Sequence, residues 1–169
     1  MTSHAATADS TANYLNHEKG IWSWLGTVDH KRIALMYLFT ITTFFIVGGL
    51  AALTMRLELM APGEQHIDAN TYNQLFTLHG AIMIFLFIVP GIPATMGNFL
   101  LPLMIGAKDV AFPRLNLVSY YVYIVGAIMA LLALISPIDT GWTFYAPYSI
   151  QSGKAVILMT GAAFVLGFS

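Results

Sequence analysis

Long stretches without a charged residue divide the chain. They cover residues 33–55, 69–107, 115–138 and 155–169, with lengths of 23, 39, 24 and 15 residues. A hydrocarbon core of about 30 Å needs roughly 20 apolar residues in a helix. The first three stretches are each long enough, and the pattern predicts membrane-spanning helices over about 33–55, 72–101 and 117–135.

The second stretch is longer than one crossing requires and contains Pro90, Pro93 and Pro102. Because proline bends a helix and no charge marks a second turn, the pattern favours one long kinked helix. The fourth stretch reaches only about 22 Å as a helix, which is too short to cross the bilayer. It predicts an incomplete fourth span over 155–169, and a chain that is the N-terminal piece of a longer polypeptide or one half of a split protein.

The composition excludes the water-soluble classes of protein. Hydrophobic residues make up 57% of the chain and charged residues 9%, and the mean hydropathy is +0.73. A soluble domain carries about 25% charged residues, so this chain has too few to cover a water-exposed surface. The net charge of -1 provides no basic patch for nucleic acid, and the absence of cysteine excludes disulfides and thiolate metal sites. The expected fold class is an all-α integral membrane protein.

The distribution of Lys and Arg predicts the orientation in the membrane. Five of these cations fall on one side of the predicted spans: Lys19, Lys31, Arg32, Lys108 and Arg114. Only Arg56 and Lys154 fall on the other side. Cytoplasmic loops carry the excess of positive charge, so we expect a cytoplasmic N-terminus in a bacterial-type plasma membrane.

The region before the first span has two parts. Residues 1–20 are polar and lack the apolar core of a secretory signal, and we interpret them as a cytoplasmic tail that precedes a single domain over 21–169. Aromatic residues near the predicted inner boundary are interpreted as an interfacial belt, comprising Trp22, Trp24, Tyr120, Tyr121 and Tyr123.

One histidine of the five, His79, lies inside a predicted span. An ionisable side chain in the membrane is costly and usually faces the interior of the bundle, where it has a partner. A neutral imidazole is a good iron ligand, so His79 is a candidate axial ligand of a haem or metal. A histidine that hydrogen-bonds another helix fits the same position. Phe76 and Met83 share its helix face and Gly80 removes bulk beside it, which suits a flat macrocycle and also ordinary packing.

Two further groups lie near the predicted outer boundary. Arg56 ends the first span, where a guanidinium either holds a haem substituent or extends to the interface as a lipid-facing residue. Oxygen donors follow in a short loop at Glu58, Gly63 and Gln65. Such donors either bind Ca²⁺ or Na⁺ or belong to a solvated loop.

At the predicted inner boundary, Asp109 lies between Lys108 and Arg114. Neutral polar groups occur at membrane depth near it, at Asn98, Asn116 and Ser119. A carboxylate at the entrance of a polar route can collect protons, and the neutral groups can hold water. The alternative is an ordinary loop carboxylate paired with one of the two cations, worth at most ~1 kcal/mol.

Five ordered segments resemble subunit I of the haem–copper oxidases. They are Asp29-His30-Lys31, Arg56-Leu57-Glu58-Leu59, the run from Phe76 to Phe85 around His79-Gly80, the run from Gly97 to Asn116, and Thr140-Gly141-Trp142-Thr143. The resemblance extends over roughly residues 20–169 in the order and spacing of the family.

The resemblance implies a fold and a set of site residues. The fold is the N-terminal four transmembrane helices, the fourth incomplete, of a twelve-helix oxidase bundle. His79 corresponds to an axial iron ligand of the low-spin haem a, Arg56 to the arginine at its formyl group, and Asp109 to the mouth of the proton-uptake channel. Further channel positions are Asn98, Asn116, Ser119, Tyr37 and His30. An outer Ca²⁺ or Na⁺ site in part of the family corresponds to Glu58, Gly63 and Gln65.

The resemblance also implies a function, namely part of the catalytic subunit of a terminal oxidase that transfers electrons from cytochrome c to oxygen and pumps protons. The complete subunit of the family also holds a second haem and copper, and their ligands, like the second ligand of the low-spin haem, belong to later helices outside this chain. We therefore expect this chain to be inactive alone and to require the remainder of subunit I, the other oxidase subunits and membrane lipid. Quinol-oxidising relatives carry polar residues where this chain has Val47, Ala51 and Thr71, which favours cytochrome c as the donor. A quinol oxidase of the same family and a non-catalytic haem-binding bundle are the alternatives.

Overall fold

The computed structural model describes residues 13–15, 20–64, 66–135, 141, 143–151 and 153–169. All regular secondary structure in these ranges is helical, so the predicted all-α fold class is confirmed. The α-helices are α1 (Ile21–Leu25), α2 (His30–Glu58), α3 (Ala69–Ala81), α4 (Gly97–Ile105), α5 (Pro113–Ile135), α6 (Tyr148–Gln151) and α7 (Gly153–Leu166). Two π-helical segments, Ile82–Ile88 and Gly91–Met96, lie between α3 and α4.

Within the described ranges, three helical stretches are long and apolar enough to cross a membrane. They are His30–Glu58, Ala69–Ile105 and Pro113–Ala133, while Gly153–Leu166 is shorter. The first begins ahead of its uncharged stretch because Asp29 caps it, its carboxylate accepting the N–H of Lys31 at 2.8 Å. The second helical stretch ends at Gly106, which has a left-handed φ of 69°. Glycine adopts this conformation at little energetic cost because it has no Cβ.

The second span passes through Pro90, Pro93 and Pro102 without a break. The sequence predicted a proline kink, and the structure shows π-helical turns around the first two prolines. A π turn bonds each N–H to the carbonyl five residues back, so it redistributes the bonds that proline removes. The carbonyl of Leu86 in the first π segment is satisfied by the hydroxyl of Tyr123, which donates to it at 2.8 Å.

The core lies between α2, the second span and α5. Tyr37, Ile82, Leu86 and Tyr123 are fully buried there, and the rings of Tyr37 and Tyr123 lie 5.3 Å apart. The interpretation of Tyr123 as part of an interfacial aromatic belt was therefore wrong, because its ring packs in the core and its hydroxyl is bonded to Leu86.

α5 packs closely along α7. A Cβ added at Gly126 would lie 2.8 Å from Cγ of Leu166, so glycine allows the two helices to approach. Small buried residues continue the contact on both helices, namely Ala127, Ala130 and Ala133 of α5 with Ala155 and Ala162 of α7. In a membrane such close packing replaces the hydrophobic driving force that joins helices in water.

Candidate functional site

The imidazole of His79 is oriented by the helix that precedes it in the chain. Its Nδ1 atom lies 2.9 Å from the carbonyl oxygen of Gly48 in α2. Because a carbonyl oxygen can only accept, the Nδ1 nitrogen carries the hydrogen and donates. In the neutral ring the lone pair is then on Nε2, which is the form that binds a metal.

Close approach of α2 to the second span makes this bond possible. Gly48 is buried, and a Cβ added there would lie 2.9 Å from Sδ of Met83 and 3.2 Å from Cγ2 of Ile82. The sequence reasoning above did not assign Gly48 a role. The signal was present in the Gly48-Gly49 pair inside an apolar span, since small residues mark close contacts between membrane helices.

His79 and its helix neighbour Phe76 are both partly exposed, so a flat apolar ligand could reach the imidazole. His79 is half-buried, and Phe76, one turn earlier on α3, is 53% exposed. The described residues contain no group of three or more His, Cys, Asp or Glu side chains that could hold a metal ion. His79 can offer one axial ligand to a haem, as the resemblance implies.

The other predicted residues at this end lie near the end of α2. Arg56 is exposed and lies eight residues beyond Gly48, about 12 Å along the helix axis. Glu58 is 7% exposed, and its Oε2 accepts the backbone N–H groups of His66 at 2.7 Å and Ile67 at 3.1 Å.

The carboxylate of Glu58 thus fastens the loop that leads into α3. Gly63 adopts a left-handed φ of 87° in that loop, and Gln65 lies outside the described residues. The Ca²⁺ or Na⁺ site at Glu58, Gly63 and Gln65 stays a prediction, and the backbone contacts give Glu58 a structural use in addition.

At the opposite end of α2, His30 and Asp109 form a contact. Nδ1 of His30 lies 2.9 Å from Oδ1 of Asp109, and the same oxygen accepts the N–H of Val110 at 2.7 Å. The His30 side chain is 5% exposed and the Asp109 side chain 37% exposed. Neither Lys108 nor Arg114 forms an ion pair with Asp109, so the ordinary loop pair considered above is not what the structure shows.

Asn98 and Asn116 form a reciprocal amide pair between α4 and α5. Nδ2 of Asn98 donates to Oδ1 of Asn116 at 3.1 Å, and Nδ2 of Asn116 donates to Oδ1 of Asn98 at 2.7 Å. Asn98 also donates to the carbonyl of Ala94 at 2.6 Å. Two amides that satisfy each other in this way form a closed polar contact at membrane depth.

Ser119 connects this pair to α2. Its Oγ donates to the backbone carbonyl of Asn116 at 2.8 Å and lies 3.0 Å from the hydroxyl of Tyr37. Because the serine hydrogen is used on the carbonyl, Tyr37 donates to Ser119. A second contact between the same helices, 3.2 Å between the hydroxyls of Thr40 and Tyr120, was not predicted.

The structure therefore divides the predicted residues into two groups. Those assigned to a channel form three contacts at one end of α2, namely His30 with Asp109, Asn98 with Asn116, and Tyr37 with Ser119. His79 and Arg56 lie toward the other end. His30 and Tyr37 are seven residues apart on α2, which places the third contact about 10 Å further along the helix than the first.

Comparison with known proteins gives a consistent result. The family described as Cytochrome C and Quinol oxidase polypeptide I matches residues 32–169. A Synechocystis cytochrome c oxidase subunit 1 is 42% identical over 162 residues, which are 90% of this chain and 29% of that protein. A Streptomyces avermitilis protein, named as a subunit 1-beta, is 46% identical over 147 residues, 83% of this chain and 26% of its own length.

A third relative, cytochrome c oxidase subunit 1 of Alkalihalophilus pseudofirmus, is 45% identical over 132 residues, 76% of this chain and 21% of that protein. The chain thus spans about a quarter of the length of the curated relatives it matches. The family resemblance of the five sequence segments is confirmed. Together with the three long apolar helices, the matches identify a multi-pass membrane protein.

Proposed function

Because the chain belongs to the cytochrome c and quinol oxidase polypeptide I family, we propose that it is part of the catalytic subunit of a terminal respiratory oxidase. The complete enzyme transfers electrons from cytochrome c to oxygen and couples this transfer to proton pumping. This part supplies one ligand of the low-spin haem and the entrance of the proton-uptake route. It acts together with the remainder of subunit I and the other oxidase subunits, in a plasma membrane with its N-terminus in the cytoplasm.

The observation that carries the proposal is the 2.9 Å contact between His79 Nδ1 and the Gly48 carbonyl. It fixes the ring orientation and leaves the Nε2 lone pair available for iron, as a hydrogen-bonded metal ligand requires. A low-spin haem a held by His79 would supply one-electron transfer. The Gly48 carbonyl holds the imidazole in place by accepting its N–H, and Phe76 lies one turn earlier on the same helix.

Arg56 acts on the same group at its periphery. Its guanidinium is always charged and presents several donors in a fixed geometry, so it suits a formyl oxygen. A fixed positive charge near the haem favours the state that carries the extra electron. Arg56 would therefore raise the reduction potential by electrostatics.

The second half of the proposal concerns proton uptake. Asp109 collects protons at the cytoplasmic mouth, and buried His30 holds its carboxylate in place. The Asn98–Asn116 pair and the Tyr37–Ser119 contact provide the next polar groups inward. These groups lie on three different helices, so the route is formed by tertiary packing.

The test of the haem assignment is His79→Ala in the complete oxidase. Loss of the only iron ligand from this side should abolish the low-spin haem absorption band. His66→Ala is the matched control, because His66 is exposed in the loop before α3 and should leave the spectrum unchanged. A normal low-spin band in His79→Ala would refute the ligand assignment. Oxidase assays with reduced cytochrome c and with quinol identify the electron donor.

A further inference from the structure

Thr95 carries a buried hydroxyl that forms no hydrogen bond with the described part of the chain. The residue is 2% exposed, and its Oγ1 is the one buried side-chain oxygen or nitrogen among the described residues without a partner. Buried polar groups are normally paired, and an unpaired one is costly in the absence of water. The group therefore requires an explanation.

Other threonines in these helices satisfy their hydroxyls locally. Each donates to the carbonyl four residues earlier, as seen for Thr40, Thr42, Thr43, Thr54 and Thr77. Thr95 lies in the π-helical segment Gly91–Met96, where the wider turn offsets that carbonyl. The same residue type thus lacks its usual partner because of the local backbone.

The position of Thr95 places it along the polar contacts of α2, α4 and α5. The buried residues on this side of the second span are Leu86, Pro90, Thr95, Asn98 and Pro102. Thr95 therefore shares the inward side of the helix with Asn98, one turn away. Asn98 is already engaged with Asn116 and the Ala94 carbonyl.

The register between α2 and the second span gives its depth. A Cβ added at Gly91 would lie 3.5 Å from Cδ1 of Ile41, so these two residues face each other. The helices run in opposite directions, and one further turn brings α2 to Tyr37 and the second span to Thr95. Thr95 is thus at the level of the Tyr37–Ser119 contact, inward from the Asn98–Asn116 pair.

We propose that the Thr95 hydroxyl is a water-binding position of the proton-uptake route in the complete enzyme. The inference rests on the proposed function of that route. In the conformation described, Oγ1 is enclosed, so water reaches it only when a neighbouring polar side chain moves. A proton that arrives on such a water is matched by one that leaves from it, and Thr95 stays neutral throughout. Thr95 is a positioning residue for this water.

The experiment uses three variants of the complete oxidase. Thr95→Val removes the hydroxyl at constant shape, and Thr95→Ser keeps it. Thr43→Val is the matched control, because Thr43 is exposed and its hydroxyl donates to the Phe39 carbonyl. The measurement is the rate of proton uptake from the medium after oxygen is added to the reduced enzyme, followed with a pH-sensitive dye. The low-spin haem band reports whether each variant is assembled.

We expect Thr95→Val to slow proton uptake roughly 2- to 10-fold, the range that corresponds to one hydrogen bond to water. Thr95→Ser and Thr43→Val should match the wild type, and all three should retain the haem band. Because the hydroxyl is unpaired in the dry conformation, Thr95→Val should unfold at the same temperature as the wild type or higher.

Asp109→Asn separates the inference from the function on which it rests. If Asp109→Asn slows uptake and Thr95→Val does not, the role of Thr95 is overturned and the route stands. If neither slows uptake, both are overturned. Should Thr95→Val fail to assemble, a high-resolution structure of the wild-type enzyme decides. A water within about 3.2 Å of Oγ1 supports the proposal, and a hydroxyl bonded only to protein overturns it.

Discussion

Replacement of Gly48 by alanine tests how closely the orientation of His79 depends on the packing of two helices. The added Cβ would lie 2.9 Å from Sδ of Met83, 3.3 Å from its Cγ and 3.2 Å from Cγ2 of Ile82. Carbon atoms prefer separations of about 3.5–4.0 Å, so the contact with Cγ2 of Ile82 is too short by roughly 0.3 Å or more. The methionine sulfur can move by a change of rotamer, but the branched Ile82 side chain is stiff. Part of the strain therefore falls on the distance between the helices.

The consequence for His79 follows from the same distance. Separation of the helices by about 0.3 Å or more would lengthen the contact between Nδ1 and the Gly48 carbonyl from 2.9 Å to about 3.2 Å or more, at or beyond the long end of the hydrogen-bond range. In its proposed role the imidazole would then be a weaker donor to iron, because its hydrogen bond to the carbonyl is weakened. We expect the low-spin haem band to shift and its reduction potential to rise, since the oxidised iron is less stabilised.

The neighbouring glycine supplies the control. A Cβ added at Gly49 has no atom within 4 Å, so Gly49→Ala should gain up to about 1 kcal/mol from helix propensity alone. Gly48→Ala gains the same amount and loses ~1–3 kcal/mol to overpacking. Both variants are measured in the complete oxidase by absorption spectroscopy, potentiometric titration and thermal unfolding. Equal spectra, potentials and stabilities for the two variants would refute the reasoning.

Two further substitutions test the packing and the polar pair. Gly126→Ala brings a Cβ within 2.8 Å of Leu166 and should lower the free energy of unfolding by ~1–3 kcal/mol. Gly161→Ala is the control and should cost less, because its nearest contact is the flexible end of a methionine side chain at 3.2 Å. Thermal unfolding in detergent compares the two variants, and equal losses of stability would contradict the close-contact argument. Asn116→Ala leaves the buried Asn98 amide without its partner, so it should lower the free energy of unfolding by ~1–3 kcal/mol and change the rate of proton uptake. A variant with wild-type stability would show that the amide pair does not hold the two helices together.

The charge pattern was sufficient to locate the three long spans, because charged side chains are excluded from all sides of a helix that crosses lipid. It was not sufficient to find the buried side of α2, which is apolar on all sides. Position alone left His79 either as an iron ligand or as a histidine bonded to another helix, and its partner on that helix, Gly48, has no side chain to mark it. Tyr123 is of a residue type common at the membrane interface, and its burial depends on the packing of its ring and on the Leu86 carbonyl that accepts its hydroxyl.

The polar contacts were even harder to predict from the sequence. Asn98, Asn116 and Ser119 were visible as polar groups at membrane depth, but a linear pattern does not say which of them meet. Thr95 was not singled out because threonine is common in membrane helices and normally bonds its own helix. The Thr95 hydroxyl lacks a partner because of a π turn, and local sequence rules did not predict that turn.

The buried positions of α2 explain how one helix serves both groups of residues. They include His30, Tyr37, Gly48 and Glu58, all on the side that faces the second span and α5. His30 and Gly48 are eighteen residues apart, about 27 Å along the axis, which is most of the thickness of the hydrocarbon core. A helix is stiff over that length, so α2 fixes the orientation of His79 and the position of the Asp109 contact relative to each other. This also explains why a glycine is needed at only one of the two ends. His79, the proposed haem ligand, is held by the α2 backbone itself, whereas the contacts of the proposed proton-uptake route are made by side chains long enough to bridge ordinary helix spacing.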